Sequence, residues 1–419
     1  MKRLVDAISS LAALMALVWP VSLSAQTTDY TFRECLGSSM PYPDVSVTPE
    51  TPDSLTPIMI NHVGRHGSRY MSSGKAAANV SRALKNAVKL RTITPRGRNL
   101  LRLTEQIIER TAGRWGILDT LGKAEQMGIG MRMYSDFPML MRDGRINAIS
   151  SYVPRCIMSM YEFTHQIARL DDKVEIYTSS GRQNNPLLRF FSDDPELEEL
   201  FLSPAYRRTL KEAADSMVPL TVLRKMLGAN YPMDDILDPT TLTMDIYSCL
   251  AATAAMELPC DISRYVTREE FNAMWSFKNY RQHLTHSASV LSDSPAKAAR
   301  ALLSDLISTT DRLIEGDTAI APVQLRFGHA ETLMPLLALM RIPGCYLDSD
   351  DPATVSRQWL DFSIVPMAAN FRLVLFRGPK GKIYVRSDLN EQAVNIIEGD
   401  PRIYIPWDEA KAYMLLRSM

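Results

Sequence analysis

The alternation of apolar and polar positions divides the chain into three kinds of stretch. Short apolar runs rich in β-branched and aromatic residues predict strands: Ile58-Met59-Ile60 leading to Val63-Gly64, Ile146 to Val153, Lys173 to Thr178, Val323 to Phe327, Phe371 to Phe376 and Lys382 to Arg386. Apolar residues at helical spacing predict helices over Ser73 to Leu90, where Val80, Leu84 and Val88 recur every fourth position, over Asn99 to Ile108, and over Thr332 to Met340. A further helix follows the turn Asp119-Thr120-Leu121-Gly122, and another carries Ile157, Tyr161 and Ile167. The third kind runs from about 192 to 300 and is helical almost throughout, with solvated charged faces such as Arg207-Arg208-Lys211-Glu212. Residues 26 to about 56 are rich in Ser, Thr and Pro and read as an extended lead-in, and Ser179 to Pro186 reads as a polar loop.

Strands alternating with helices predict an α/β fold: a mostly parallel sheet flanked by helices, with ligands bound beyond the carboxyl ends of its strands. The last two strands predict a hairpin around Arg377 to Gly381. The expected organisation is a discontinuous α/β domain, residues 26–191 and 301–419, interrupted by an all-helical inserted domain at 192–300.

The first residues change this picture by removing themselves from it. Lys2 and Arg3 precede a nearly uninterrupted apolar run from Ala7 to Val21, followed by Ser22-Leu23-Ser24-Ala25. The run is short for a membrane span and carries the flanks of a signal peptide, so 1–25 is expected to direct export to the periplasm or medium. No cysteine stands at the cleavage region to carry a lipid anchor, and no stable membrane insertion is expected. The formal charge of the whole chain is 0, and losing two cations and one anion with the leader makes it −1. That balance argues against nucleic-acid binding, which needs a net basic surface. Five cysteines (Cys35, Cys156, Cys249, Cys260, Cys345) have no metal-ligand spacing, and Cys249 with Cys260 is the closest plausible disulfide pair. A monomer is expected.

The candidate chemistry sits at two strand ends. Val63 to Met71 places His66 in a loop between Arg65 and Arg69, where guanidiniums can fork onto phosphate-like oxygens while a neutral ring nitrogen approaches the central atom. Far downstream, Gly328-His329-Ala330-Glu331-Thr332 repeats the design of strand, glycine and imidazole. Between them, Pro154 in a first helical turn puts Arg155 at a helix N-terminus, a position that favours an anion. His283 and His286 are three residues apart but lack a third ligand, so no metal is expected, and His62 and His165 read as packing or hydrogen-bonding residues.

These residues bring a family into view. Arg65-His66-Gly67-Ser68-Arg69 resembles the RHGxR signature of the histidine acid phosphatases, a branch of the histidine phosphatase superfamily. His329-Ala330-Glu331 is similar to the distal tripeptide of the multiple inositol polyphosphate phosphatases, where most other members of the branch have His-Asp. Gly122-x-x-Glu125-x-x-Gly128, Leu188-Arg189-Phe190-Phe191, Pro366-Met367-Ala368-Ala369-Asn370 and Leu389-Asn390-Glu391 resemble further landmarks of that family in the expected order. The resemblance implies hydrolysis of phytate (inositol hexakisphosphate) and lower inositol polyphosphates, without a cofactor. In that scheme His66 is the nucleophile, Arg65, Arg69, Arg155 and His329 hold the phosphoryl oxygens, and Glu331 is the proton donor. The carboxyl of Glu331, beside a phosphate dianion, is expected to have a raised pKa. Arg182 and Arg189 are candidates for the non-reacting phosphates. A broad or sugar-phosphate acid phosphatase is the alternative within the class; a mutase, or a phosphate-ester binding protein without turnover, fits less well.

Overall fold

The computed structural model describes residues 30–45, 50–142 and 144–418, so the expected signal peptide at 1–25 lies outside the described residues. Among the described residues eight strands form one sheet: β1 (Thr56–Arg65), β2 (Arg145–Ser150), β3 (Glu175–Ser180), β4 (Val323–Gly328), β5 (Asn370–Arg377), β6 (Ile383–Leu389), β7 (Gln392–Val394) and β8 (Ile405–Pro406). Their order is β3-β2-β4-β1-β5-β6-β7, with β8 also paired to β6. The sheet is mixed. Its four strands β3, β2, β4 and β1 are mutually parallel, and the C-terminal hairpin extends the sheet antiparallel from β1 through β5 and β6.

The registers put the site in place. Arg65 pairs with Gly328, and Ser150 pairs with Phe327, so β1, β4 and β2 end side by side at one edge of the sheet. Each chain leaves its strand there and supplies the next residue, His66, His329 or Ser151, to the same spot. Strand β1 is buried continuously from Met59 to Arg65, as suits a central strand covered on both faces. Edge strand β3 is largely exposed.

Helices α1 (Lys75–Lys89), α2 (Pro95–Thr111) and α3 (Thr120–Asp136) follow β1, and Asp119 caps α3 through a 2.8 Å bond accepted from Thr120 N. One sheet face buries Ile146, Leu325, Phe327 and Val374 under Ile129 and Met133 of α3 and Phe163 of the Pro154–Leu170 helix. The other face buries Val63, Leu373 and Leu375 under Leu303 and Leu306 of the Arg300–Ile314 helix and Leu333 of the Ala330–Leu339 helix. Between 192 and 300 the described residues hold helices and no named strand, as the periodicity predicts. The apolar faces of this segment are completed by the rest of the chain: Met226, Ile246, Leu250 and Trp275 share a core with Val80, Leu84, Leu100 and Leu103 of α1 and α2. Its longest helix, Arg268–His286, begins with a capping box between Thr267 and Glu270.

Three local expectations change. The lead-in is extended only in part, because Glu34–Ser39 forms a 3₁₀ turn. Glu34 Oε2 accepts from Thr31 N at 2.8 Å and Asp361 Oδ2 accepts from Ser38 N at 2.9 Å, which fold the segment onto the body. The polar loop after β3 contains a short helical turn, Asn185–Leu188. All five cysteines carry free thiols, and Cys249 is not bonded to Cys260. No helix among the described residues is long and apolar enough to cross a membrane.

Candidate active site

His66 is held by its backbone on both sides. Its N–H donates to Gly328 O of β4 at 3.1 Å, and its carbonyl accepts from Ala368 N at 3.0 Å. Ring Nδ1 lies 3.0 Å from Gly67 O. A carbonyl can only accept, so Nδ1 carries the proton and Nε2 keeps its lone pair. The loop beyond is clamped from α3: Glu125 accepts from Ser68 N at 2.6 Å and from Ser68 Oγ at 2.8 Å, and Gln126 donates to Arg65 O at 2.9 Å. Gly67 and Gly122 exist for this contact. A Cβ on Gly67 would stand 2.3 Å from Gly122 O, and one on Gly122 would stand 2.0 Å from Ser68 O.

Around His66 the structure gathers Arg65, Arg69, Arg155, His329 and Glu331. Arg65, extending β1, donates through Nη1 to Ser38 O at 2.6 Å and to Val365 O. Arg155 enters from the first turn of the Pro154–Leu170 helix, with Pro154 at the predicted first position. His329 is the N-cap of the Ala330–Leu339 helix, its N–H donating to Thr332 Oγ1 at 3.0 Å, and its ring meets that of His66 edge-on at 5.7 Å between centroids. Four guanidiniums here, those of Arg65, Arg69, Arg155 and Arg189, each keep a buried Nε with no partner. Native structures rarely leave such donors unmatched.

The charges act on one another. Burial, then Arg155, Arg65, Arg69 and His329, hold the His66 imidazole well below its ordinary pKa, so the ring is neutral at physiological pH. Burial and the neighbouring guanidiniums bring Arg65 down to about 10 and Arg69 to about 9. His329 is lowered to about 3, burial being the main cause, with Arg155, Arg189 and Arg65 adding to it against Glu331. Glu331 departs from the sequence expectation in the ligand-free site. Burial raises its pKa, but His286, His329, the helix backbone and Arg65 outweigh burial and bring it to about 2. The expected rise is tied to a neighbouring phosphate dianion, and the protein's own charges act in the opposite direction.

Arg189 and Arg182 sit further out. Arg189 is half-buried, donates to Ser192 Oγ at 2.8 Å, and stacks 5.2 Å from the Tyr152 ring and 5.6 Å from Phe191. Arg182 is exposed and reaches the site's edge only through Tyr152, 4.6 Å from its ring. Sequence reasoning missed Ser38, Ser151, Tyr152 and Lys278. Lys278 lies close enough to Glu331 and Arg69 for their charges to act on its ammonium, which burial and Arg281 pull below its usual range. Lys278, Gln282 and His286 recur every fourth residue on one helix, a spacing that could have marked a shared face. His283 is a core residue, its Nε2 2.9 Å from Leu347 O and its ring edge-on to Trp359.

Comparisons with known proteins bear on the family and the fold. A model of the histidine phosphatase superfamily (branch 2) matches residues 58–390. The chain is 23% identical over 313 residues to multiple inositol polyphosphate phosphatase 1 of Homo sapiens, a match covering 67% of this chain and 62% of the human protein. It is 23% identical over 370 residues to the Gallus gallus protein of the same name, covering 81% and 78%. Among solved structures, the multiple inositol polyphosphate phosphatase of Bifidobacterium longum in complex with phosphate superposes with a TM-score of 0.76 at 18% identity, covering 92% of this chain and 98% of that one. The phytase from D. castellii gives 0.67 at 16% identity, covering 98% and 90%. With one family pattern spanning the sheet from β1 through β6, this chain belongs to the histidine phosphatase superfamily, branch 2.

Proposed function

We propose that the protein is a phosphomonoester hydrolase that removes phosphates from phytate and lower inositol polyphosphates through a phosphohistidine. The observation that carries this reading is the set of four buried, unpartnered guanidinium Nε groups around an imidazole whose Nε2 is free to attack. His66 Nε2 forms a bond to phosphorus in line with the ester oxygen as the P–O bond breaks. Arg65, Arg69, Arg155 and His329 stabilise the charge on the three equatorial oxygens. Glu331 gives its proton to the departing alkoxide. It then takes one from the water that attacks the phosphohistidine, releasing inorganic phosphate and His66. Glu331 takes up the proton it donates from water as substrate binds, because a bound phosphate opposes the cationic field that holds the carboxyl ionised.

The substrate class rests on the extra cations. Lys278 and Arg189 lie near Glu331 and His329, Arg182 stands at the edge of the site, and the three suit a ring bearing several phosphates. The B. longum relative was solved in complex with inositol hexasulfate, a ring bearing several sulfates. In the same reading, residues 1–25 direct export to the periplasm or medium and the mature chain acts as a monomer. Residues 192–300 are an inserted domain that contributes Lys278. The test is incubation with phosphorus-labelled phytate, acid-sensitive quenching and mapping of the label. Label on His66, and its loss in His66→Ala, are expected; label elsewhere, or phosphate release by His66→Ala, overturns the reading. Equal turnover of phytate, glucose 1-phosphate and an aryl phosphate would reduce it to a broad acid phosphatase.

A further inference from the structure

Ser151, the first residue past β2, takes no part in the steps above, yet it is fully buried against the centre of the site. Its N–H donates to Phe327 O at 3.1 Å, so the pairing that aligns β2 with β4 also fixes its side chain. Its Oγ lies 3.1 Å from His329 Nε2. On the other side of the ring, Arg155 Nη2 lies 3.3 Å from Nδ1. A guanidinium can only donate, so Nδ1 accepts there and the ring proton sits on Nε2, donated to Ser151 Oγ. In this state His329 has no proton to offer a phosphoryl oxygen.

We propose that Ser151 is a positioning residue that lets His329 exchange tautomers when phosphate binds. The inference rests on the phosphatase reading. When a phosphoryl group takes the N–H of Arg155, Nδ1 loses its donor. The ring takes up a proton at Nδ1 from the hydroxyl of the arriving phosphate monoanion and releases the one on Nε2 to water, so it stays neutral. Nδ1–H then donates to a phosphoryl oxygen, and the Ser151 hydroxyl rotates to donate to Nε2. A hydroxyl serves both states because it donates or accepts by turning. A backbone carbonyl in its place would lock the proton on Nε2, and a carboxylate would favour the imidazolium. Cys156 closes the third side of the ring, its Sγ 3.5 Å from Nε2 and donating to Gly328 O at 3.0 Å. Burial pushes that thiol up to about 11, so it stays protonated and leaves Nε2 to Ser151.

The full chain labelled with ¹⁵N-histidine, with His329→Gln to assign the signal, reports the tautomer by solid-state NMR. The expected result is Nε2–H without ligand and Nδ1–H with inorganic phosphate. One tautomer in both states, or both nitrogens protonated in the second, overturns the proposal on the wild-type protein alone. Ser151→Ala should abolish the exchange and lower kcat roughly tenfold or more, whereas Ser151→Thr should restore both. Unchanged exchange and kcat in Ser151→Ala would also overturn it. Loss of packing alone would lower thermal stability while leaving the exchange intact, and that result also counts against the proposal. Phosphate release by His66→Ala would instead refute the phosphatase reading itself.

Discussion

Strand β1 and the residue just past its end hold two buried histidines among arginines, and they have opposite fates. His62 lies mid-strand, directly opposite Arg372 of β5, with its ring against Phe163 and Phe327. Four residues on, His66 stands where the strand ends. The arginines differ too. Arg372 and Arg386 converge on one carboxylate, Asp388, with Arg372 Nε at 2.8 Å and Arg386 Nε at 2.9 Å, and all three side chains are essentially inaccessible. The four arginines around His66 form no salt bridge among the described residues and instead present unpartnered Nε–H groups. A carboxylate inside an arginine cluster makes it a structural joint. Where no carboxylate is bonded to the guanidiniums, at a strand's carboxyl end, the same side chains make a seat for an anion.

The sharpest break in this comparison is to delete each imidazole. His66→Ala should reduce phosphate release on the order of 10⁴-fold or more, as loss of a covalent nucleophile does, with the fold intact by circular dichroism. His62→Leu should leave kcat for phytate close to wild type. Comparable losses in the two variants would erase the distinction drawn between strand end and strand middle.

The arginines come next. Arg155→Ala should raise the barrier by about 2.7–4 kcal/mol, the cost of one lost charged donor in a developing-charge site, read as a fall in kcat with little change in melting temperature. Arg372→Met should do the reverse. It leaves Asp388 paired only with Arg386 and should cost about 1–3 kcal/mol of stability by denaturant unfolding, while the folded enzyme turns over normally.

A further contrast follows from pH. Burial, Arg372 and Arg326 lower His62 to about 3, against an ordinary value of 6.5. Below pH 6.5 the unfolded chain protonates this ring and the folded one does not. Its contribution is therefore complete above pH 6.5 and is lost as pH falls toward 3. Removing the group in His62→Leu should flatten the acid loss of stability by about 1.4 kcal/mol per pH unit in that window. His66 is also held neutral, so the acid limb of kcat/KM should not fall through pH 6.5 as a free imidazole would dictate.

What could be read in advance divides along the same line. His66, His329 and Arg155 were legible because each follows a strand or opens a helix, and local sequence encodes that placement. Glu331 was legible as a group, but its ionisation depends also on His286 and Arg65, brought in from two other segments. Ser151 looks like the tail of a strand, and only the Ser150–Phe327 register brings its hydroxyl to His329. Ser38 was hidden in a lead-in whose 3₁₀ turn forms against Asp361, 323 residues away in sequence. The helical character of 192–300 was plain, but no periodicity reveals that Trp275 and Met226 bury themselves against α1 and α2.

The finest test separates the two outer arginines, which the sequence treats alike. Tyr152 carries Arg182 at 4.6 Å and Arg189 at 5.2 Å from its ring, and Arg189 is among the charges that act most on His329. An exposed guanidinium paired with a phosphate contributes roughly 0.2–1 kcal/mol, so Arg182→Ala should raise KM for phytate by at most about fivefold. It should leave kcat, and both constants for an aryl phosphate, unchanged, because one phosphate alone does not reach so far. Arg189→Ala should change KM for phytate more and should also lower kcat, since its charge reaches the distal histidine. Identical effects of the two substitutions would mean that the Tyr152 stack works as one cationic patch, and the boundary between reacting and non-reacting positions would then have to be drawn inside Arg189.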